Sequence, residues 1–301
     1  MQEFEDRNAE ILKGISAAAI NDAYVLRSRC FELDKNLNLK SARMAEEATT
    51  LNFIRRLVTA NRFVNGFNAG AILHSRQLES FHSKADLELV IKFSPNSWLN
   101  LVLQAKSLQW RSGTWRYEYW NATKNAELIY WCKTQSRVRG RKLTPGMLLY
   151  NEDVPVFRNT VHRNPFGACD LTKRYTAPVT CWSSCCLLGY PHLAPEVTPA
   201  GISLCLDENM MTTLAKPTPI DLVSSHFPLE HLAHFVQSSA GSGTARKVRL
   251  NPRIEKLLSA DAPVWARKIL ERGEPEVGEF KREVGEGVVS TGYVAIDLSQ
   301  R

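Results

Sequence analysis

Two short segments of this chain carry the residue types that phosphodiester hydrolysis needs. Asp86 stands at the mouth of one apolar, alternating segment, and Gln104-Ala105-Lys106 stands at the end of the next one. A carboxylate can bind a divalent cation, and a lysine can orient or deprotonate the attacking water and offset charge in the transition state. The pattern predicts a metal-dependent hydrolytic site built on two neighbouring strands.

The Gln-x-Lys spacing suits such a site. Side chains on a strand alternate between its two faces, so Gln104 and Lys106 are expected to point into one site. The carbonyl oxygen of Ala105 between them is a candidate further ligand for magnesium. Gln104 follows a strongly apolar run, and a buried amide needs hydrogen-bonding partners, which favours a site over a random surface position.

Three further acids are candidate metal ligands, and each also has a structural interpretation. Glu46 or Glu47, in the opening turn of a predicted helix, is expected to complete the site through a water molecule, yet both are also favourable there through the helix dipole. Glu88 is a candidate ligand and equally suits a solvated strand face. In the same way, Asp86 could simply begin a strand and Lys106 simply end one.

The elements that must position these residues follow from periodicity. Residues 87–93 alternate between apolar and mainly polar positions, which predicts a strand, and residues 99–106 predict a second. Pro95-Asn96-Ser97 between them supplies turn residues, so an antiparallel hairpin is the simplest topology. Residues 44–59 carry apolar side chains at helical spacing, which predicts the helix that presents the acids.

The remaining elements predict a compact α/β unit within the usual size of one domain. Its other members are a leading helix at 6–31, a short strand at 62–67, a polar loop or irregular hairpin at 68–83, an aromatic-rich helix at 117–133, a buried strand at 146–151 and a closing strand at 288–298.

Taken in order, these blocks resemble the PD-(D/E)XK nuclease superfamily, in the Mrr-like branch whose third motif reads Gln-x-Lys. More narrowly, the blocks Glu46–Thr50, Ala85–Glu88, Val102–Lys106 and Leu148–Asn151 are similar to those of a little-characterised bacterial family of nuclease-like proteins. The resemblance covers roughly residues 40 to 155, which is the size of one typical domain.

The resemblance implies a fold class and a domain division. The fold is α/β, with a restriction-endonuclease-like core, in which helices flank a mixed central sheet, and a C-terminal extension. The implied parts are a helical lead-in at residues 1–40, the nuclease-like core at 41–155 and an extension of unknown role at 156–301.

The resemblance also implies roles. Asp86 is the metal ligand, Glu47, or alternatively Glu46, is the auxiliary acid, Gln104 is the motif partner and Lys106 is the catalytic lysine. The implied cofactor is Mg²⁺, with Mn²⁺ as a substitute, and the implied activity is hydrolysis of DNA in bacterial genome defence.

The sequence departs from the common superfamily pattern at two positions. Gln104 replaces the usual acid and so removes one negative charge from the metal site, and Ala85 rather than proline precedes Asp86. Two alternatives therefore stay open. One is a catalytically inactive module of the same fold that binds nucleic acid or a protein partner, and the other is an unrelated α/β protein with a coincidental motif.

Composition sets broader limits. The chain has 38 Lys and Arg against 31 Asp and Glu, a net charge of +7, which is compatible with a polyanionic partner such as DNA. Arg137, Arg139, Arg141 and Lys142 predict a basic loop that contacts a DNA backbone, although a solvated loop explains them equally well. The odd number of cysteines, an acidic N-terminus and the lack of a long apolar run predict a cytoplasmic protein without a membrane segment.

Overall fold

The chain forms an α/β fold in which helices flank a mixed β-sheet. The computed structural model describes residues 2–33, 36–37, 39–41, 46–73, 85–111, 113–117, 119–151, 201–222, 226–235, 237–238, 248–249, 256–273, 280 and 290–299. The helices are α1 (Gln2–Arg29), α2 (Glu46–Phe63), α3 (Ala122–Arg139), α4 (Glu208–Thr213), α5 (Pro219–Leu222) and α6 (Val264–Arg272), with a 3-10 helix at Leu229–Phe235. The strands are β1 (Phe31–Leu33), β2 (Leu39–Ser41), β3 (Asn68–Leu73), β4 (Ala85–Ser94), β5 (Ser97–Arg111), β6 (Thr114–Tyr117), β7 (Thr144–Asn151), β8 (Gly201–Cys205), β9 (His226–Pro228), β10 (Gln237–Ser238), β11 (Val248–Arg249) and β12 (Ser290–Asp297).

The main sheet runs in the order β3, β12, β4, β5, β7, β8, β9, and β6 pairs with the last part of β5. The β12–β4 and β5–β7 pairs are parallel, and the other neighbours are antiparallel. This architecture is consistent with the predicted restriction-endonuclease-like core. Strands from beyond residue 155, namely β8, β9 and β12, complete the sheet, and the domain division itself stays a prediction.

The central hairpin divides the core between the two faces of the sheet. From Leu87 onward, odd-numbered residues of β4 and β5 such as Leu103 pack in one apolar cluster with Phe53 of α2. The even-numbered Val102 packs in a second cluster with Leu128 of α3. Helix α2 therefore covers one face and α3 the other, as strand alternation requires.

The predicted elements around the site are confirmed with shifted ends. Strands β4 and β5 form the expected antiparallel hairpin, although β5 continues to Arg111. Helix α2 is described from Glu46 and extends to Phe63, and β7 covers the predicted strand at 146–151. The closing strand is also confirmed as β12, but it lies inside the sheet between β3 and β4.

One prediction between these elements is wrong. The expected strand at 62–67 does not form, because α2 continues through Phe63 and the chain turns at Gly66, whose φ is 82°. A strand lies instead at Asn68–Leu73, within the segment predicted as a polar loop or irregular hairpin, and residues 74–83 of that segment lie outside the described residues.

The predicted helix at 117–133 begins later and ends later. Tyr117 belongs to β6, and α3 starts after Asn121, whose side chain accepts a hydrogen bond from the Lys124 amide. It ends at Arg139 before Gly140, which adopts the left-handed conformation.

Helix α1 confirms the predicted leading helix and belongs to the core. Leu12, Ile15 and Ala19 are buried in the cluster that includes α2. Across the described parts of the chain, no helix combines the length and apolarity needed to cross a membrane.

Candidate active site

The antiparallel pairing of β5 is interrupted. Strand β4 pairs with β5 up to Leu87 opposite Leu103, and β6 pairs with β5 from Leu108 opposite Tyr117. Between these two paired stretches, the Ala105 and Ser107 amides donate to side chains rather than to a strand. We call this part of β5, residues 105–107, the notch.

Two carboxylates accept the backbone hydrogen bonds that a neighbouring strand would otherwise accept. Asp86 Oδ2 accepts a hydrogen bond of 2.7 Å from the Ala105 amide, and Glu46 Oε1 accepts one of 2.9 Å from the Ser107 amide. An unpaired amide at this depth would carry a desolvation cost of about 1–3 kcal/mol. Side-chain carboxylates therefore satisfy the backbone amides of the notch. A ligand can displace a side chain from an amide more easily than it can displace a whole strand.

Lys106 brings the one positive charge that the described contacts place beside these acids. Its Nζ donates to the Ala105 carbonyl oxygen at 2.6 Å and lies 3.5 Å from Glu46 Oε2. Asp86 of β4 and Lys106 of β5 both contact the backbone of Ala105, and Glu46 reaches Lys106 and the Ser107 amide from α2. The three side chains therefore converge on the backbone of the notch.

Burial raises the pKa of the Asp86 carboxyl above its ordinary value. The negative charge of Glu47 raises this pKa further, while the Ala105 amide and the charge of Lys106 lower it. The net rise means that the ionised form is short of stabilising partners, a common property of functional carboxylates.

The pKa of Glu46 is also raised, again mainly by burial. Lys106 and the Ser107 amide lower it, and the neighbouring Asp86 raises it. The two acids thus repel one another, and an additional cation between them would relieve that repulsion.

Three other predicted site residues lie at or beside the notch. Ala105 presents its carbonyl oxygen there, as expected, and that oxygen accepts the bond from Lys106. Gln104 is partly exposed, and continuing the β4–β5 register places it opposite Asp86. Glu47 is exposed and acts on Asp86 through its charge.

Glu88 lies elsewhere. It is fully buried, with 0% exposure, so its assignment to a solvated face is wrong. Its Oε1 lies 3.9 Å from Arg141 Nη2, and its charge raises the pKa of the Cys132 thiol in α3, an effect secondary to burial. Glu88 therefore faces α3 inside the complete part of the sheet.

The predicted basic loop is not one loop. Arg137 and Arg139 belong to the last turn of α3, and Arg139 lies 5.4 Å from the ring centre of Trp131. Arg141 is buried beside Glu88, and the exposed Lys142 donates to the Lys256 carbonyl oxygen. Of these four residues, Arg137 and Lys142 are exposed.

Sequence reasoning gave no role to Thr50 and Tyr150, which support the site. Thr50 Oγ1 donates to the Glu46 carbonyl oxygen at 2.9 Å and lies 2.5 Å from the Tyr150 hydroxyl. Both residues fall within the blocks that resemble nuclease-like proteins. The four-residue spacing from Glu46 to Thr50 was the available signal for their contact on a helix.

The donor set at the notch fits magnesium. Two carboxylates and the Ala105 carbonyl are hard oxygen ligands, and Mg²⁺ is typically held by one or two carboxylates with water and substrate phosphate completing its shell. The described residues contain no group of three or more His, Cys, Asp or Glu side chains arranged to hold a metal ion. A cation at the notch would therefore depend on Asp86, Glu46, the Ala105 carbonyl and water.

Comparison with known proteins gives a family but no activity. The model of a family described as "Family of unknown function (DUF6615)" matches residues 23–293. No curated protein and no solved structure matches the chain significantly.

Proposed function

Because this chain belongs to DUF6615, a family whose function is unknown, we propose its function from the notch: metal-dependent hydrolysis of DNA phosphodiester bonds. The observation that carries the proposal is that Asp86 and Lys106 both contact the backbone of Ala105, at its amide and its carbonyl, with Glu46 beside them. Two acids that can hold a divalent cation, with a lysine beside them, are components that such hydrolysis uses.

The geometry favours a particular division of roles. Asp86, Glu46 and the Ala105 carbonyl would hold Mg²⁺ or Mn²⁺, which would stabilise charge on the scissile phosphate as a Lewis acid. Glu46 rather than Glu47 takes the auxiliary acid role, because Glu46 contacts Lys106 and the Ser107 amide. Lys106 offsets the charge that develops as water attacks phosphorus and the bond to the leaving oxygen breaks.

DNA is the proposed substrate on grounds of charge and resemblance. The chain carries +7, and Arg137 and Lys142 remain exposed for contact with phosphates. Action in bacterial genome defence would require the protein in the cytoplasm, where its seven cysteines would stay reduced.

The decisive experiment measures cleavage of supercoiled and linear DNA, single-stranded DNA and RNA with Mg²⁺ or Mn²⁺. We expect DNA cleavage by the wild type and its loss in Lys106→Ala. The matched control is Lys133→Ala, because Lys133 pairs with Glu208 on the exposed side of α3. Undiminished cleavage by a folded Lys106→Ala variant would contradict the assignment, and preferred cleavage of RNA would contradict the substrate.

A catalytically inactive, nucleic-acid-binding module is the second candidate, and Gln104 favours it because the site has one acid fewer than usual. Calorimetric titration with Mn²⁺ separates the two candidates. Binding that is lost in Asp86→Ala supports the enzyme. DNA binding without cleavage or measurable metal binding supports the module.

A further inference from the structure

We infer that Tyr150 and Thr50 are positioning residues that hold Glu46 in the notch. This inference rests on the proposed function for its catalytic meaning, since Glu46 matters to chemistry only if the notch is the active site. Two hydrogen bonds support it, one within α2 from Thr50 to Glu46 and one buried between Thr50 of α2 and Tyr150 of β7.

The hydrogen bonds form a chain with a fixed direction. The single hydroxyl hydrogen of Thr50 is donated to the Glu46 carbonyl oxygen, four residues earlier in α2. The Tyr150 hydroxyl lies 2.5 Å from Thr50 Oγ1, so Tyr150 must be the donor in that bond. The chain therefore runs from Tyr150 through Thr50 to the backbone of Glu46.

The same contacts close a loop around the notch. Tyr150 of β7 is the register partner of Ser107 of β5, and the Ser107 amide is the group that Glu46 Oε1 accepts from. Glu46 is thus fixed at both ends, at its carboxylate by Ser107 and at its backbone by the Thr50–Tyr150 pair. A shift of the first turn of α2 would have to break both.

The Tyr150 hydroxyl stays a donor in this environment. Tyr150 is 3% exposed, and burial raises its pKa. The hydrogen bond to Thr50 lowers this pKa by less than burial raises it, and the charges of Asp86 and Glu46 raise it by smaller amounts. A protonated tyrosine is also compatible with two neighbouring carboxylates, whereas a tyrosinate would repel them.

A purely packing role for Tyr150 makes a different prediction. The ring belongs to the apolar cluster under α2, and phenylalanine would fill the same space. Tyr117→Phe is the matched control, because Tyr117 is also a buried tyrosine, and its hydroxyl donates to Asn151 Oδ1 at 2.5 Å. Both variants lose one buried hydroxyl, but only Tyr150→Phe loses the link to Glu46.

The test has two readouts. We expect kcat for DNA cleavage to fall by about tenfold in Tyr150→Phe with little change in KM, the size typical of losing a group that orients a ligand. We also expect hydrogen exchange of the Ser107 amide, followed by NMR, to speed up in Tyr150→Phe and not in Tyr117→Phe. The exchange measurement requires no activity.

The outcomes separate this inference from the proposed function. If the wild type neither cleaves DNA nor binds Mn²⁺, the proposed function fails, whereas unchanged Ser107 exchange in Tyr150→Phe overturns the positioning role. If Tyr150→Phe does not fold, Thr50→Val and Thr50→Ser replace it. The valine removes the hydroxyl at nearly constant volume and should speed up Ser107 exchange, and the serine should restore protection. Equal exchange in the valine and serine variants overturns the inference.

Discussion

Asp86, which is partly exposed, and Glu88, which is fully buried, are acids two residues apart on the same strand, yet their surroundings differ. Glu88 pairs with Val102 on one side and Tyr293 on the other, inside the complete sheet. Asp86 stands one position beyond the last pair of the β4–β5 ladder, where its carboxylate accepts the Ala105 amide. Glu88 is therefore enclosed by paired strands, whereas Asp86, two residues earlier on β4, accepts a backbone hydrogen bond that a strand would otherwise accept.

This difference shows which surroundings leave a carboxylate in the sheet able to bind a ligand. Around Glu88 the neighbouring strands satisfy the backbone, and the cationic partner is Arg141, in the connection between α3 and β7. At Asp86 the backbone of the neighbouring strand is itself part of the site, and the cation is the nearby Lys106. A ligand can replace the contacts of Asp86 without disturbing the pairing of the strands.

The largest effect should come from breaking the enclosed pair. We expect Glu88→Ala to lower the free energy of unfolding by about 3–5 kcal/mol, because it leaves the buried Arg141 charge without its carboxylate. Urea unfolding measures the loss. Lys133→Ala is the control, since that exposed pair with Glu208 should contribute no more than about 1 kcal/mol.

A milder variant of Glu88 sharpens the comparison when Mn²⁺ binding is measured. Glu88→Gln, if folded, should keep the metal affinity of the wild type, whereas Asp86→Ala should lose it. Loss of metal binding in a folded Glu88→Gln variant would instead support Glu88 as a metal ligand.

The second prediction concerns the two adjacent helical acids. We expect Glu46→Gln to lower kcat by about 100-fold, within the usual range for removing one catalytic polar group, because Glu46 contacts both Ser107 and Lys106. Glu47→Gln should have a small effect on kcat at neutral pH, since Glu47 is exposed.

A pH profile distinguishes these acids further. The charge of Glu47 raises the pKa of Asp86, so Glu47→Gln should lower that pKa. Activity in this variant should then persist to a lower pH than in the wild type. A larger kcat loss in Glu47→Gln than in Glu46→Gln would reverse the assignment of the auxiliary acid.

The hairpin, its turn and the acid-bearing helix were predictable from the sequence because each depends on a local pattern. Alternation between Leu87 and Phe93 fixes a strand, and it also places Gln104 and Lys106 on one face. Alternation does not predict how deeply a residue is buried. Glu88 shares the parity of Asp86, and only the packing of α3 and Arg141 over that face buries it.

The choice between Glu46 and Glu47 depends on how α2 is rotated about its axis. That rotation is set by long-range packing, in which Phe53 contacts the sheet and Thr50 bonds to Tyr150, a residue one hundred positions away in sequence. The notch arises from where β4 begins and where β6 ends, at Tyr117, a residue that the sequence pattern places in a helix. Local periodicity therefore identifies the site residues but does not predict the notch where they meet.

The third prediction uses the pKa rise at Asp86. Since the folded pKa is raised, stability associated with the protonated form is present below the unfolded pKa and is lost as pH rises through the folded pKa. Asp86→Asn can still accept the Ala105 amide but carries no charge. It should raise the free energy of unfolding by about 1 kcal/mol at pH 8, as is common when a strained functional group is removed.

This gain should shrink as pH falls through the raised pKa of Asp86, because the wild-type carboxyl then becomes protonated in the folded state and loses its buried charge. Urea unfolding at pH 8 and pH 4 measures the difference. A destabilised Asp86→Asn variant at pH 8 would mean that Asp86 serves the fold as Glu88 does.

The smallest effect is expected from restoring an acid at Gln104. Gln104→Glu adds a negative charge opposite Asp86, which should raise Mn²⁺ affinity by about threefold, equivalent to less than 1 kcal/mol. The gain is limited because the new charge also repels Asp86 and Glu46, whose pKa values are already raised, and protons then compete more strongly with the metal. Calorimetry at pH 6 and pH 8 should therefore find the larger gain at pH 8. Unchanged affinity at both values would show that Gln104 faces away from the notch, and the neutral residue would then no longer favour an inactive module.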